Sequence, residues 1–185
     1  MIDRPLETRS PRPLRLRTLT PGDAAALARH AAADVEHLRE HLPWAESATQ
    51  TAGARAWLES YERREDGRVL VAGAFDRGDI VGGALLLNHK PDAAIVEIGC
   101  WVSSAAQGLG VARAACAALI AHARDELRVE RVEWHCTTVN PRSRVLAERL
   151  GFEYEGTLRS AYVLRGERYD LDVLSLVGDE LDSAS

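Results

Sequence analysis

The clearest potential for chemistry in this sequence lies in a glycine-containing segment, Gln107-Gly108-Leu109-Gly110-Val111-Ala112. An apolar run typical of a buried strand precedes it, and an alanine- and leucine-rich helix follows at residues 112–126. A glycine turn between a strand and a helix directs backbone N–H groups outward at the helix N-terminus, where the dipole also favours an anion. The segment therefore predicts a pyrophosphate cradle, with a plain connection between the two elements as the alternative.

Two other features bear on the chemistry of such a site. No lysine follows the glycines, which excludes the loop that grips nucleoside triphosphates. A carboxylate, Glu97, interrupts the apolar run before the loop. Because a buried, unpaired charge is costly, Glu97 is a candidate general base, acting through water. The alternation of a strand also permits a solvated, outward-facing glutamate.

Composition narrows the class of protein. The net charge of −5 argues against a general nucleic-acid binder, which needs a basic face. No apolar run is long enough for a membrane span, and the N-terminus has no apolar segment typical of a secretory signal. The odd number of cysteines, three, favours reduced thiols in a cytoplasm. His37 and His41 lie four residues apart but lack the glutamate of the metalloprotease pattern, so a solvated helix face is expected and no metal.

The elements that must position these residues follow from hydrophobic periodicity and turn residues. Strands are predicted at residues 14–18, 69–75, 80–87, 94–102, 131–137, 152–158 and 169–177. Helices are predicted from residue 20 to 42, at 51–64, at 112–126 and at 141–150. This order predicts an α/β (α+β) fold: a mixed, mostly antiparallel sheet of six to seven strands with helices on both faces. Residues 1–13 are expected to form a flexible lead, 14–177 a single domain and 178–185 a disordered tail.

Several separated segments resemble one known family. They are the glycine segment, Glu97-Ile-Gly-Cys-Trp-Val102 before it, Asn140-Pro-Arg-Ser143, Leu150-Gly-Phe-Glu-Tyr-Glu-Gly156 and His41-Leu-Pro-Trp44. Together they resemble the RimJ/RimL-type branch of the GNAT superfamily of N-acetyltransferases. The resemblance implies a V-shaped split between the two central strands. It also implies acetyl transfer from acetyl-CoA to a primary amine, most often the N-terminal α-amino group of a protein.

The resemblance also implies roles for the cofactor-binding residues. The donor to the thioester carbonyl lies near Val102, and the pyrophosphate loop is shaped by Gln107, Gly108, Leu109, Gly110, Val111 and Ala112. Asn140 is expected to contact the pantetheine arm, although a helix N-cap before Pro141 accounts equally well for it.

The residue that would protonate the departing thiolate differs from the usual pattern of the superfamily. Many members of the superfamily place a tyrosine seven residues after the asparagine, where this sequence has Ala147. Ser143 matches the serine of the RimL-type pattern and is the candidate relay, with a local backbone bond in the first helical turn as the alternative. Cys136 matches a cysteine of some relatives, and packing in a buried strand is its preferred interpretation.

The acceptor pocket is expected to include Trp44, His41, Tyr169 and Asp170, with a packing role for Trp44 as the alternative. The expected partners are an acyl-CoA and either a protein N-terminus or a small-molecule amine, without nucleic acid or membrane, and a homodimer is left open. Two alternatives to a protein N-acetyltransferase also stay open. One is a transferase for a small amine or another acyl-CoA, and the other is a catalytically silent CoA-binding module.

Overall fold

The computed structural model describes residues 1–64 and 69–183. Its strands are β1 (Asp3–Leu6), β2 (Leu14–Thr18), β3 (Leu70–Asp76), β4 (Asp79–Lys90), β5 (Ile95–Val102), β6 (Arg131–Thr137), β7 (Glu153–Leu164) and β8 (Glu167–Val177). Its α-helices are α1 (Ala24–Ala33), α2 (Val35–Arg39), α3 (Thr51–Glu62), α4 (Val111–Leu127), α5 (Pro141–Arg149) and α6 (Glu180–Ser183).

The strands form one sheet in the order β1-β2-β3-β4-β5-β6-β8-β7. Every neighbouring pair is antiparallel except β5 and β6, which run parallel. A parallel pair needs a crossover connection, and helix α4 supplies it. The glycine segment is the start of that crossover, so it lies at the carboxyl end of β5.

Two apolar cores cover the two faces of the sheet. On one face, α4 and α5 pack against the sheet through side chains such as Leu119, Ile120 and Ala147. On the other face, α1 and α3 pack through side chains such as Leu27 and Leu58. Residues of β5 alternate between these cores, since Ile98 belongs to the first and Trp101 to the second. The predicted mixed sheet with helices on both faces is confirmed.

The structure corrects three details of the sequence-based picture. Among the described residues, the sheet has eight strands rather than six to seven. The expected flexible lead contains β1, which pairs with β2 because Ile2 and Leu6 are both buried in the core. The expected disordered tail contains α6, whose Leu181 is 2% exposed. Residues 184–185 of that tail lie outside the described residues.

Candidate active site

The two parallel strands separate halfway along their length. The last paired residues of β5 and β6 are Ile98 and Trp134. Beyond them β5 stays paired with β4 as far as Val102, and β6 stays paired with β8 as far as Thr137. The two halves of the sheet therefore diverge and leave the V-shaped split that the resemblance implied.

The direction of the backbone groups at this split follows from the ladder beside it. The N–H of Ser103 donates to the carbonyl oxygen of Val81 at 3.0 Å. Since backbone groups alternate in direction along a strand, the N–H groups of Val102 and Cys100 point away from β4 and into the split. This direction is the one that a donor to a thioester carbonyl in the split needs.

The glycine loop leads from the split to the N-terminus of α4. Gly108 and Gly110 have φ angles of +76° and +80°, and nothing lies within 4 Å of the position that a Cβ would occupy on either. The first N–H groups of α4 have no partner within the helix. They open onto a groove of about 2290 Å³ that Asn140 and Ser143 also line. An open cradle of backbone donors fits the pyrophosphate of CoA.

A chain of polar contacts crosses this groove. Nε2 of His37, in α2, lies 3.3 Å from the carbonyl oxygen of Val102 and 3.1 Å from the side-chain nitrogen of Gln107. The side-chain oxygen of Gln107 accepts a hydrogen bond from Arg142 at 2.9 Å. Gln107 thus fixes the loop relative to α2 and α5. The solvated face expected for His37 is wrong, since His37 is half-buried against β5.

Glu97 lies near the apex of the split, on the face opposite α4. Its side chain is 15% exposed, and one carboxylate oxygen accepts a hydrogen bond from the amide of Asn88 at 2.7 Å. The same oxygen lies 3.2 Å from Nδ1 of His135 on β6. The other ring nitrogen of His135 lies 3.5 Å from Glu133. Glu97 is therefore a paired, half-buried carboxylate and not a freely solvated one.

The ionisation of this cluster is shifted by its contacts. Burial by itself lowers the pKa of His135, but the hydrogen bond to Glu97 and the charges of Glu97 and Glu133 outweigh it and leave that pKa above its usual 6.5. Burial, with the charge of Glu97 in second place, raises the pKa of Tyr162 on β7. The two shifts favour a protonated His135 ring and a neutral Tyr162 phenol near the same carboxylate.

Ser143 lies on the other side of the sheet, in the first turn of α5. Its hydroxyl oxygen accepts a hydrogen bond from the indole N–H of Trp134 at 3.0 Å, which leaves the hydroxyl proton available to another acceptor. Its backbone N–H donates to the side-chain oxygen of Asn140 at 3.2 Å, so Asn140 is the N-cap of α5 while it also lines the groove. Burial raises the pKa of Cys136 to about 11, which keeps this neighbour of Ser143 a thiol at neutral pH.

The expected acceptor residues fall into two groups. Trp44 stacks on Trp57 with 4.5 Å between ring centroids and meets Trp101 edge-on at 5.4 Å, so it belongs to an aromatic cluster beside β5. His41 lines the groove, and burial lowers its pKa. An acceptor role for either residue stays a prediction.

Tyr169 and Asp170 are placed on β8. Tyr169 pairs with Tyr162 of β7, and the carboxylate of Asp170 accepts a hydrogen bond from the backbone N–H of Ser160 at 2.7 Å. Asp170 therefore fixes an irregular point of the terminal hairpin, and its role toward an amine stays a prediction.

Sequence reasoning missed several polar residues that the fold brings to the site. Asn88 lies on β4, and Trp134 and His135 lie on β6. Both strands neighbour β5 in the sheet, and local periodicity does not reveal which strands are neighbours. One signal was available. Alternation in β6 puts Trp134 on the apolar face and His135 with Glu133 on the other, and a parallel partner would have aligned Glu133 with Glu97.

Metal binding and membrane insertion find no support in the described ranges 1–64 and 69–183. No group of three or more His, Cys, Asp or Glu side chains there is placed to hold a metal ion. None of the helices in the same ranges has the length and apolar character needed to cross a membrane.

Comparison with known proteins supports the geometry. A family model for the acetyltransferase (GNAT) domain matches residues 13–153. YdaF of Bacillus subtilis (strain 168), provisionally named a ribosomal N-acetyltransferase, is 32% identical over 167 residues, which cover 89% of this chain and 91% of that protein. The ribosomal-protein-serine acetyltransferase of Escherichia coli (strain K12) is 27% identical over 137 residues, which cover 66% of this chain and 76% of that protein.

A solved structure of a similar protein contains the cofactor. RimJ of Mycobacterium smegmatis, in complex with a CoA disulfide, superposes with a TM-score of 0.83 at 27% identity, over 97% of this chain and 88% of that chain. The match of the family model to most of the chain agrees with the split, the glycine loop and the open groove described above. The chain belongs to the GNAT acetyltransferases, in their RimJ/RimL-type branch, and is an N-acetyltransferase that uses acetyl-CoA.

Proposed function

We propose that this enzyme acetylates the N-terminal α-amino group of a protein, of the ribosomal-protein type. The observation that carries the proposal is the position of Glu97, paired with His135 on the face of the sheet opposite the cofactor groove. An amine that approaches from that face meets a weak base before it meets the thioester in the split. The names of the two curated relatives, both of which refer to ribosomal acetylation, support the same acceptor.

The strength of this base favours an α-amine over a lysine side chain. An α-amine with a pKa of about 7.7–8 is neutral in roughly one molecule in seven at pH 7, whereas a lysine at about 10.4 is neutral in roughly one in 2,500. This difference corresponds to about 3.5 kcal/mol at 1.36 kcal/mol per pKa unit. A carboxylate that acts through water, with a histidine beside it, suits the α-amine, which costs less free energy to deprotonate.

Different residues of the chain carry out the separate steps of acetyl transfer. Glu97, with His135 as its partner, accepts the proton of the ammonium group through a water molecule, and the neutral amine attacks the thioester carbon. The N–H of Val102 stabilises the negative charge that develops on the carbonyl oxygen. When the C–S bond breaks, the hydroxyl of Ser143 donates a proton to the thiolate and regains one from solvent, while the attacking nitrogen releases its second proton to solvent and becomes a neutral amide. Transfer is direct, and no residue of the chain is acetylated.

An acceptor panel tests this assignment. Release of CoA thiol from acetyl-CoA is measured with peptides that differ only in their first residue, with the same peptides blocked at the α-amine, and with free polyamines and amino acids. Peptides with a free α-amine should be preferred, and blocking the α-amine should abolish turnover even when a lysine is present. Preference for a small amine over every peptide would refute the protein acceptor while leaving the acetyltransferase chemistry intact.

A further inference from the structure

The segment between β1 and β2, residues 7–13, lies along the cofactor groove and is fixed there. The backbone N–H of Arg9 donates to the carbonyl oxygen of Leu109 at 2.8 Å, one residue before the glycine that starts α4. The guanidinium group of Arg12 forms an ion pair with Asp76 on β3 at 2.7 Å. This segment, called the N-terminal strap below, is thus tied at one point to the glycine loop and at another to the sheet.

The strap also has a defined local conformation. The backbone N–H of Ser10 donates to the hydroxyl of Thr8 at 3.2 Å, and the N–H of Arg12 donates to the hydroxyl of Ser10 at 3.3 Å. Pro11 and Pro13 restrict the backbone further. The side chain of Arg9 is therefore presented from a turn whose position relative to the loop is fixed.

The groove that the strap borders is strongly basic, although the whole chain has a net charge of −5. Two carboxylates, Glu7 and Glu40, are among the residues that line it. Six arginines of the described part of the chain line the same groove: Arg4, Arg9, Arg12, Arg113, Arg142 and Arg149. Such a concentration of one charge in an acidic protein fits a polyanionic ligand.

The side chain of Arg9 differs from those of Arg12 and Arg142, which both have partners within the protein. Arg12 pairs with Asp76, and Arg142 donates to Gln107. The guanidinium group of Arg9 is exposed, and within residues 1–64 and 69–183 it has no hydrogen-bond or ion-pair partner. The backbone of Arg9 is held beside the glycine loop. Because its guanidinium group has no partner there, its fork of N–H donors can bind a phosphate group.

We propose that Arg9 of the N-terminal strap binds a phosphate group of coenzyme A, so that the strap forms a third wall of the cofactor site beside the glycine loop and α5. The inference rests on the proposed use of the glycine loop as the pyrophosphate cradle. Coenzyme A offers two kinds of phosphate to this side chain, the pyrophosphate and the 3′-phosphate of the ribose, and both have the charge and geometry that an arginine fork recognises.

Calorimetric titration of the full-length chain with CoA and with 3′-dephospho-CoA tests the proposal. Arg9→Gln should weaken CoA binding about tenfold, the lower end for a charge-assisted hydrogen bond, because salt screens an exposed site. Arg9→Lys, which keeps the charge but loses the fork, should lose less. The KM for acetyl-CoA should rise with kcat unchanged. If Arg9 contacts the 3′-phosphate, only CoA is affected, whereas a pyrophosphate contact weakens both ligands equally.

The control is Arg159→Gln, since Arg159 is exposed on β7, at the opposite end of the sheet from β1. This variant should bind both ligands as the wild-type protein does. Arg9→Gln with an unchanged circular dichroism spectrum and CoA affinity within twofold of wild type would overturn the role of Arg9. An equal loss in Arg159→Gln would overturn it too, by showing a non-local charge effect. Failure of the wild-type protein to bind CoA would instead refute the proposed pyrophosphate cradle.

Discussion

At the scale of single residues, the environment of Glu97 determines what its removal should do. The carboxylate is held by Asn88 and His135, and it is not among the residues that line the groove proposed for the cofactor phosphates. Replacing it should therefore change proton transfer without changing cofactor affinity.

Glu97→Gln keeps the size and the acceptor oxygen of the side chain but cannot take a proton. Turnover should fall by roughly 10²–10⁴, the range for general acid–base catalysis, while CoA affinity stays within a few fold. The loss should shrink as the pH rises past the pKa of the amine, because the substrate is then already neutral. Steady-state rates across pH check this, with Glu133→Gln as the matched carboxylate beside His135. An equal and pH-independent loss in both variants would contradict a base role.

His135 makes a prediction about stability. Its pKa in the folded protein is raised above 6.5, so the protonated ring stabilises the native state. That contribution is complete below about pH 6.5 and is lost as the pH rises through the raised pKa. The difference in the free energy of unfolding between wild type and His135→Gln should therefore be largest below about pH 6.5 and shrink as the pH rises through the raised pKa of His135. Urea unfolding at several pH values measures it, and a constant difference would be inconsistent with a protonated His135–Glu97 pair.

Substitution of Ser143 should change the rate of the chemical step alone. Its hydroxyl is oriented by Trp134, and its backbone N–H is already satisfied by Asn140. Ser143→Ala should slow single-turnover transfer roughly tenfold to a hundredfold, the lower part of the acid–base range, because a CoA thiolate is a tolerable leaving group near neutral pH. Ser143→Thr keeps the hydroxyl and should retain most of the rate. Wild-type rates in Ser143→Ala would leave bulk water as the acid.

At the scale of the elements, the glycine loop can be tested against a matched turn. Gly110 at the start of α4 and Gly78 in the β3–β4 hairpin both have positive φ, and both have open space where a Cβ would lie. Alanine at either position should destabilise the fold by about 1–2 kcal/mol through the same backbone strain. Only Gly110→Ala should also weaken CoA binding, because its Cβ intrudes where a phosphate approaches the backbone. Thermal unfolding and calorimetry together separate the two effects, and equal CoA affinities would refute the cradle.

The elements also show how far the sequence could lead. Local signals were sufficient for the glycine loop, for α4 and for the turn between β7 and β8, since helical spacing and glycine act over a few residues. The N-terminal strand was missed because a single pair of buried residues, Ile2 and Leu6, fixes it. His135 was missed because its proximity to Glu97 depends on a parallel pairing across a crossover of 28 residues, 103–130. Tyr162 was missed for the same kind of reason, since it belongs to a hairpin beyond β6.

At the scale of the whole molecule, the sheet separates two compartments. The groove proposed for the cofactor runs along α4 and α5 and also includes His37 and His41, whereas the Glu97–His135 pair lies on the face covered by α1 and α3 and is not among its lining residues. The split between β5 and β6 is the opening that connects the two faces of the sheet. The two substrates can therefore enter from opposite sides, an arrangement that permits direct transfer in a ternary complex.

The split has a further consequence for the backbone itself. Cys100 and Val102 direct their N–H groups toward a neighbour that β6 does not supply, while Trp101 directs its N–H toward β4. A bound pantetheine arm would act as a temporary ninth strand. Amide hydrogen exchange at residues 100 and 102 should therefore be fast in the free enzyme and slow with CoA, while residue 101 stays protected in both. Equal protection with and without CoA would mean that the cofactor does not complete the sheet.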